Sequence, residues 1–154
     1  MDEKILIPLD GSKVGEAALP YVEELLTKLS PQVKPEIILL QVLSQSTHPI
    51  VAGGEMAVIP YNEQEMEANK ENALAYLIRT GEKLEAKGAT VITKVAIGDA
   101  SDEIIRLAEE ININMIAMST HGRGGLSRWA FGSVTDKVLR HGGKVPILVV
   151  KAAE

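Results

Sequence analysis

The chain has 154 residues, of which 45% are hydrophobic and 24% charged, a balance typical of one globular domain and incompatible with wholesale disorder. The absence of cysteine excludes disulfides, thiolate metal sites and cysteine nucleophiles, and the three histidines lack the spacing of a zinc-binding motif. The net charge of −5 argues against a nucleic-acid-binding domain, which is usually basic.

Short aliphatic, β-branched segments alternate along the chain with longer segments of helical spacing. The predicted strands are Lys4–Leu9, Glu36–Leu43, Ala89–Ile97, Asn114–Met118 and Val145–Lys151. The predicted helices lie between them, at about Ser12–Leu29, Asn62–Lys87, Ser101–Ile111 and Ser133–His141. Because this alternation requires right-handed crossovers, it predicts an α/β fold: one doubly wound, five-stranded parallel sheet over residues 1–154, with helices on both faces.

The segment 44–61 interrupts this alternation. It contains Pro49, Gly53, Gly54 and Pro60 and shows no clear period. We expect a flexible connection there, either a functional lid or a disordered insertion. No apolar segment is long enough to span a membrane and no targeting signal is visible, so the expected location is the cytoplasm, without membrane association.

A glycine-rich segment follows the fourth predicted strand and leads into the last helix. Ligands of doubly wound sheets bind beyond the carboxyl ends of the strands, and the unpaired amides of a first helical turn suit an anion. Five Lys or Arg residues against one Asp between His121 and Lys144 also favour a small anionic ligand. The alternative is an ordinary loop, with Ser133 only the N-cap of the helix and Asp136 at its third position.

The sequence resembles the universal stress protein family over essentially its whole length. The resemblance rests on Lys4–Ser12 (KILIPLDGS), the Gly98-Asp99 turn, the block Met118–Gly122, and the final Val-Pro-Ile-Leu-Val-Val segment. The ATP-binding branch of that family has the motif Gly-x2-Gly-x9-Gly-(Ser/Thr). Gly122, Gly132 and Ser133 match this motif, whereas Ser119 stands where its first glycine is expected. A serine there would be strained only if its backbone needed a positive φ, and its hydroxyl is a candidate ribose contact.

The resemblance implies ATP with Mg²⁺ or Mn²⁺ as the ligand. Pro8, Leu9 and Asp10 would border the adenine and ribose, and Val42 would pack on the base. Asp10 is also a candidate for reaching a phosphate-bound metal, although it is equally suited to cap the helix near Ser12.

The same resemblance assigns the other end of the nucleotide to the glycine-rich segment. Met118, Ser119 and Gly122 would line the ribose and the α-phosphate. Gly132, Ser133 and Val134 would hold the β- and γ-phosphates through backbone amides and the serine hydroxyl.

The implied function is that of an ATP-binding stress or signalling module, with at most slow hydrolysis, because no general base or second substrate site is evident. The alternatives are a nucleotide-free structural dimer, an adenylating enzyme of the PP-loop type, whose SGGxDS motif is missing, and a receiver-like phospho-acceptor domain. The resemblance also implies a homodimer that pairs through an edge strand at Val145–Val150. A buried central strand is the alternative for that segment.

Overall fold

The computed structural model of the chain describes residues 2–44, 47–60, 62–120 and 132–152. The strands in these ranges are β1 (Asp2–Pro8), β2 (Lys34–Leu43), β3 (Thr47–Ala52), β4 (Glu55–Pro60), β5 (Thr90–Ile97), β6 (Met115–Thr120) and β7 (Ile147–Lys151). A 3-10 turn at Gly15–Ala18 precedes α1 (Leu19–Lys28), and the later helices are α2 (Glu63–Ala86), α3 (Ala100–Glu110) and α4 (Ser133–His141). All five predicted strands and all four predicted helices are therefore present.

Five of the strands form one parallel sheet in the order β5-β2-β1-β6-β7. The chain runs from β1 outward through β2 to β5, and then returns to the other side of β1 to place β6 and β7. The strand order reverses between β1 and β6, which confirms the predicted doubly wound fold and locates its switch point. Strand β7 lies at one edge of the sheet, as the edge-strand prediction required.

Alternate residues of the central strand enter two separate hydrophobic cores. Ile5 and Ile7 pack on the face covered by α1 and α2, whereas Leu6 packs on the face covered by α3 and α4. All three side chains are at most 1% exposed. Burial on both faces explains why the strands are continuous apolar runs rather than alternating ones.

Helices α2 and α4 bury narrower stripes than their apolar spacing predicts. In α2, Leu77 and Leu84 are fully buried, but Leu74 and Ile78 are 41% and 52% exposed. In α4, Val138 is buried and Leu139 is 40% exposed. A helix packed on one face of a sheet buries only the stripe of residues that faces the sheet. Apolar residues beside that stripe therefore remain partly exposed to solvent. None of the described helices is both long and apolar enough to cross a membrane.

The segment between β2 and α2 is not the irregular connection that the sequence predicts. Strands β3 and β4 pair antiparallel as a hairpin, outside the main sheet. Gly53 and Gly54 form its turn with φ angles of 61° and 84°, values that glycine adopts without strain. Pro49 and Pro60 obscured the strands, yet in a two-stranded hairpin both strands are edges, where proline is tolerated. The predicted flexibility of this segment stays a prediction.

Gly81 allows α2 to lie close to the sheet, and it generates a first prediction. A Cβ at this position would stand 2.8 Å from Val91 Cγ1 and 3.4 Å from Leu39 Cδ1. We expect Gly81→Ala to lower the free energy of unfolding, because overpacking costs about 1–3 kcal/mol and outweighs the roughly 1 kcal/mol gain in helix propensity. Urea denaturation measures the change.

A double-mutant comparison isolates the packing effect. In a Val91→Ala background, the same Gly81→Ala change should be neutral or stabilising, because the obstructing methyl groups are gone. An equal loss in both backgrounds would contradict the close-packing explanation.

Candidate functional site

A cavity of about 230 Å³ lies at the carboxyl ends of β1, β2 and β6, beside the first turns of α3 and α4. This is the switch point of the sheet, where a doubly wound fold binds its ligands. Nine of the ten predicted site residues line this one cavity: Pro8, Leu9, Asp10, Val42, Met118, Ser119, Gly132, Ser133 and Val134. The tenth, Gly122, lies outside the described residues, as does His121.

Six further residues outside the ten predicted site residues line the cavity: Gly15, Leu40, Ala100, Ile104, Thr120 and Thr135. Leu40 lies two residues before Val42, so the two side chains share a face of β2, and Ile104 follows Ala100 by one helical turn. The spacing of residues in the sequence could therefore have predicted Leu40 and Ile104 as cavity residues. Thr120 and Thr135 are buried, at 4% and 3% exposure, beside the cavity. A polar residue at the end of a strand or at the start of a helix is common in any protein, so their positions in the sequence indicate a binding site less clearly.

The cavity has one apolar side and one polar side. Leu40, Ile104 and Met118 belong to the core between the sheet and helices α3 and α4, and each is at most 4% exposed. The same cavity is lined by Ser133 and Thr135, which carry hydroxyl groups and belong to the first turn of α4. A flat apolar group with a polar or anionic extension is the type of ligand that fits such a site.

The first turn of α4 differs from the sequence prediction in its cap. Gly132, not Ser133, is the N-cap residue, and no side-chain hydrogen bond caps the helix within the described residues. Ser133 is instead the first helical residue, so Asp136 stands one position beyond the expected third. The first amides of α4 consequently keep their donor capacity at the cavity.

Neither the backbone conformation nor the described neighbours of Gly132 require a glycine at this position. Its φ is −51°, and a Cβ there would have no described atom within 4 Å. Its amide donates one long hydrogen bond of 3.4 Å to Thr120 Oγ1. Within the described residues the space beside Gly132 is open, and Gly132 itself lines the cavity.

The backbone of Ser119 is unstrained and its hydroxyl is hydrogen-bonded within the protein, while its contact with a ribose stays a prediction. Among the described non-glycine residues only Asn112 has a positive φ, so the backbone of Ser119 is relaxed. Its Oγ donates a 2.9 Å hydrogen bond to Gly15 O and accepts one of 2.9 Å from Ala18 N. The hydroxyl thus joins the end of β6 to the 3-10 turn before α1.

Asp10 does not cap a helix, because no side-chain hydrogen bond of the described residues caps the 3-10 turn or α1, and its contact with a phosphate-bound metal stays a prediction. Its Oδ1 accepts hydrogen bonds from the backbone N and the Oγ of Ser12, at 2.9 and 2.6 Å. Ser12 Oγ in turn accepts a 3.0 Å bond from Gly15 N. Asp10 therefore stabilises the turn that leads into the first helix, and it lines the cavity as well.

The basic residues near α4 interact with acidic side chains outside the cavity lining. Lys137 Nζ lies 2.9 Å from Asp102 Oδ1 and 3.3 Å from Asp99 Oδ1, which ties α4 to the start of α3. Arg140 pairs with Asp136 on its own helix at 2.9 Å. The local positive charge noted in the sequence is, in its described part, largely balanced by these contacts.

Together these features define a class: a doubly wound α/β domain whose binding cavity is built from strand ends and a helix N-terminus. The family model of the universal stress protein family matches residues 1–151. The chain is 31% identical over 160 residues to universal stress protein MJ0577 of Methanocaldococcus jannaschii, covering 98% of this chain and 96% of that protein. The chain belongs to the universal stress protein family.

Solved structures of the same family have the same fold. The structure of MJ0577 matches with a TM-score of 0.70 at 27% identity, covering 99% of this chain and 97% of that one. A family member from Arabidopsis thaliana, solved with AMP bound, has a TM-score of 0.67 at 18% identity and covers 98% and 92% of the two chains. A universal stress protein in complex with cAMP has a TM-score of 0.62 at 17% identity and covers 98% of each.

The two hydrogen bonds of Ser119 lead to a stability prediction. We expect Ser119→Ala to lower the free energy of unfolding by about 1–2 kcal/mol, because the buried amide of Ala18 and the carbonyl of Gly15 lose their partner. Thr27→Ala is a suitable control: its hydroxyl bonds only to Glu24 O within α1, and we expect a change of at most about 0.5 kcal/mol. Equal urea midpoints for Ser119→Ala and the wild type would contradict this role.

Asp99 leads to a prediction on pH. Hydrogen bonds from Ser101 Oγ and the amide of Asp102, together with Lys137, lower the pKa of Asp99 to about 2. Because this value lies below the roughly 3.9 of an unfolded Asp, the ionised form contributes its full stability above about pH 4 and loses it as the pH falls toward 2. The stability difference between the wild type and Asp99→Asn should therefore shrink across this interval in denaturation curves. A pH-independent difference would contradict the assignment.

Proposed function

We propose that the protein binds ATP in the cavity at the switch point and acts as a nucleotide-dependent stress or signalling module. The observation that carries the proposal is the convergence of nine residues, chosen from sequence, on one cavity. They come from β1, β2, β6 and α4, segments that are distant in sequence. A coincidental set would be scattered over the surface.

The polar end of the cavity supports a phosphate position at α4. Helix N-terminal amides and the positive end of the helix dipole stabilise an anion, and Ser133 adds a hydroxyl donor. The open space at Gly132 lets the backbone approach the anion closely. In this proposal the β- and γ-phosphates occupy that space.

The apolar end supports a purine base. Leu40, Val42 and Met118 present hydrocarbon surface that suits the face of an aromatic ring. The AMP and cAMP ligands of two proteins with this fold favour adenine as that base. The triphosphate is our extension, based on Gly132, Ser133 and the Gly-x9-Gly-Ser spacing from Gly122.

A divalent cation would arrive with the nucleotide. Within the described residues no group of three acidic or histidine side chains is placed to hold a metal alone. Asp10 offers one carboxylate at the cavity, and Mg²⁺ in nucleotide sites commonly combines one or two carboxylates with phosphate oxygens and water. Bound there, the cation would neutralise phosphate charge beside Asp10, so either Mg²⁺ or Mn²⁺ fits.

The rest of the proposal concerns turnover and assembly. Efficient phosphoryl transfer needs a positioned base or an arginine that stabilises charge, so we assign at most slow hydrolysis.

Strand β7 at the sheet edge is suited to pair with a second copy around Val145–Val150, giving a cytoplasmic homodimer. The same edge supports the second candidate function, a structural dimer that binds no nucleotide.

Calorimetric titration of the nucleotide-free protein with ATP, ADP and GTP in Mg²⁺ tests the proposal. We expect ATP to bind and GTP to bind far more weakly, because the extra polar groups of guanine would be desolvated against Val42 and Met118. Gly132→Val should weaken ATP binding about tenfold or more by keeping phosphate away from the amides, and Ser133→Ala about threefold to tenfold.

Gly132→Ala provides a graded control, since its single methyl should weaken binding less than the isopropyl group of valine. Thermal unfolding of each variant checks that the fold is kept. Unchanged ATP affinity in the Gly132→Val, Ser133→Ala double variant would remove α4 from the site. If analytical ultracentrifugation shows a dimer and no nucleotide gives binding heat, the structural alternative is favoured. Phosphate release, measured in the same samples, gives the rate of hydrolysis.

A further inference from the structure

A relay of hydrogen bonds runs from the end of β6 to the carboxylate of Asp10. Ser119 Oγ donates to Gly15 O and accepts from Ala18 N, both at 2.9 Å. The other side of Gly15 continues the relay, because Gly15 N donates to Ser12 Oγ at 3.0 Å. Ser12 Oγ then donates to Asp10 Oδ1 at 2.6 Å. Two side-chain hydroxyls and the two peptide groups that flank Gly15 Cα thereby connect residue 119 to residue 10.

Gly15 is the joint of this relay for a steric reason. A Cβ at Gly15 would collide with Asp10 Oδ1, so the carboxylate rests directly against the glycine backbone. Any shift of the 3-10 turn therefore moves the surface on which the carboxylate lies. The two bonds of Ser119 fix this turn to the sheet, since β6 is a buried strand paired on both sides.

The relay uses only one of the two carboxylate oxygens. Both bonds from Ser12 end on Oδ1, and no described residue donates to Oδ2. Asp10 also lines the cavity that contains Gly132 and Ser133. An ionised carboxylate beside an anionic ligand repels it, unless a cation lies between them and binds both.

We propose that Ser119 is a positioning residue: through Gly15 and Ser12 its hydroxyl holds the Asp10 carboxylate where a phosphate-bound divalent cation can reach it, and so sets how strongly Mg²⁺ increases nucleotide affinity. This inference rests on the proposed ATP binding. It goes beyond that function because it gives the residue that replaces the motif glycine a task of its own. Serine here supplies a hydroxyl that glycine does not have.

The measured quantity is the ratio of the ATP dissociation constant in EDTA to that in Mg²⁺, from calorimetry on the full chain. We expect Ser119→Ala to lower this ratio about threefold to tenfold, the scale of one or two lost hydrogen bonds. Ser12→Ala breaks the relay at its other hydroxyl and should lower the ratio similarly. Asp10→Asn should lower it most, and it should strengthen binding in EDTA because the repulsion is gone.

A merely structural effect has a different pattern. Damage to the cavity would weaken binding equally in EDTA and in Mg²⁺ and would leave the ratio unchanged. Ser119→Thr, which keeps the hydroxyl, should keep most of the ratio. Ser101→Ala is the matched control, because it removes a hydroxyl that bonds to another aspartate, Asp99, at 2.6 Å outside the cavity lining.

The outcomes separate this inference from the proposed function. ATP binding with a wild-type ratio near one, or with a ratio unaffected by Ser119→Ala and Ser12→Ala, overturns the inference alone. In the Asp10→Asn variant, Ser119→Ala should not lower the ratio further. A further decrease would overturn the inference, since the effect of Ser119 would then not pass through Asp10. If ATP binds neither in EDTA nor in Mg²⁺, both proposals are overturned.

Discussion

The divergence of the chain at the centre of the sheet is the constraint on which the site depends. Strands β1 and β6 are neighbours, but β1 leads to α1 on one face and β6 leads to α4 on the other. Because the two helices lie on opposite faces, the ends of these strands are left facing a crevice rather than a packed connection. The ends of the two paired strands, Pro8, Leu9 and Asp10 on one side and Met118, Ser119 and Thr120 on the other, therefore line one cavity.

The features predicted well from sequence are those encoded by local periodicity. Strands buried on both faces, such as Ile37–Leu40, are unbroken apolar runs, and topology then follows from the alternation with helices. The cavity residues were assigned through the family resemblance, and the strand ends and the glycine before a helix, which are visible in the sequence, pointed to the same region. The hairpin was missed because Pro49 and Pro60 weigh against strands in a sheet interior, a rule that does not apply to a separate two-stranded ribbon. The partners of Ser119 and Lys137 lie 101 or more and 35 or more residues away, and no sequence period connects them.

The serine at position 119 changes what holds the site together. A glycine there would leave Gly15 O and Ala18 N without the hydroxyl that now bonds to both. In this chain the turn after β1 is therefore attached to β6 by a side chain, and the carboxylate of Asp10 is attached to that turn. The apolar end of the cavity needs no such fastening, because Leu40 and Met118 are already fixed in the core. These hydrogen bonds thus stabilise the loop that joins β1 to the 3-10 turn.

The charge distribution limits how an acidic protein can attract an anion at this site. No Lys or Arg of the described residues lines the cavity, since Lys137 is held by Asp99 and Asp102 and Arg140 by Asp136. Within the described residues, the attraction for an anion comes from fixed dipoles, whose effect decays within about one helical turn and requires close contact. In the proposed function, selection would rest on shape more than on charge, because dipoles that require close contact favour a slender phosphate chain over a bulky anion. It also favours an anion that arrives with its own cation, since the single carboxylate of Asp10 then attracts the complex instead of repelling it.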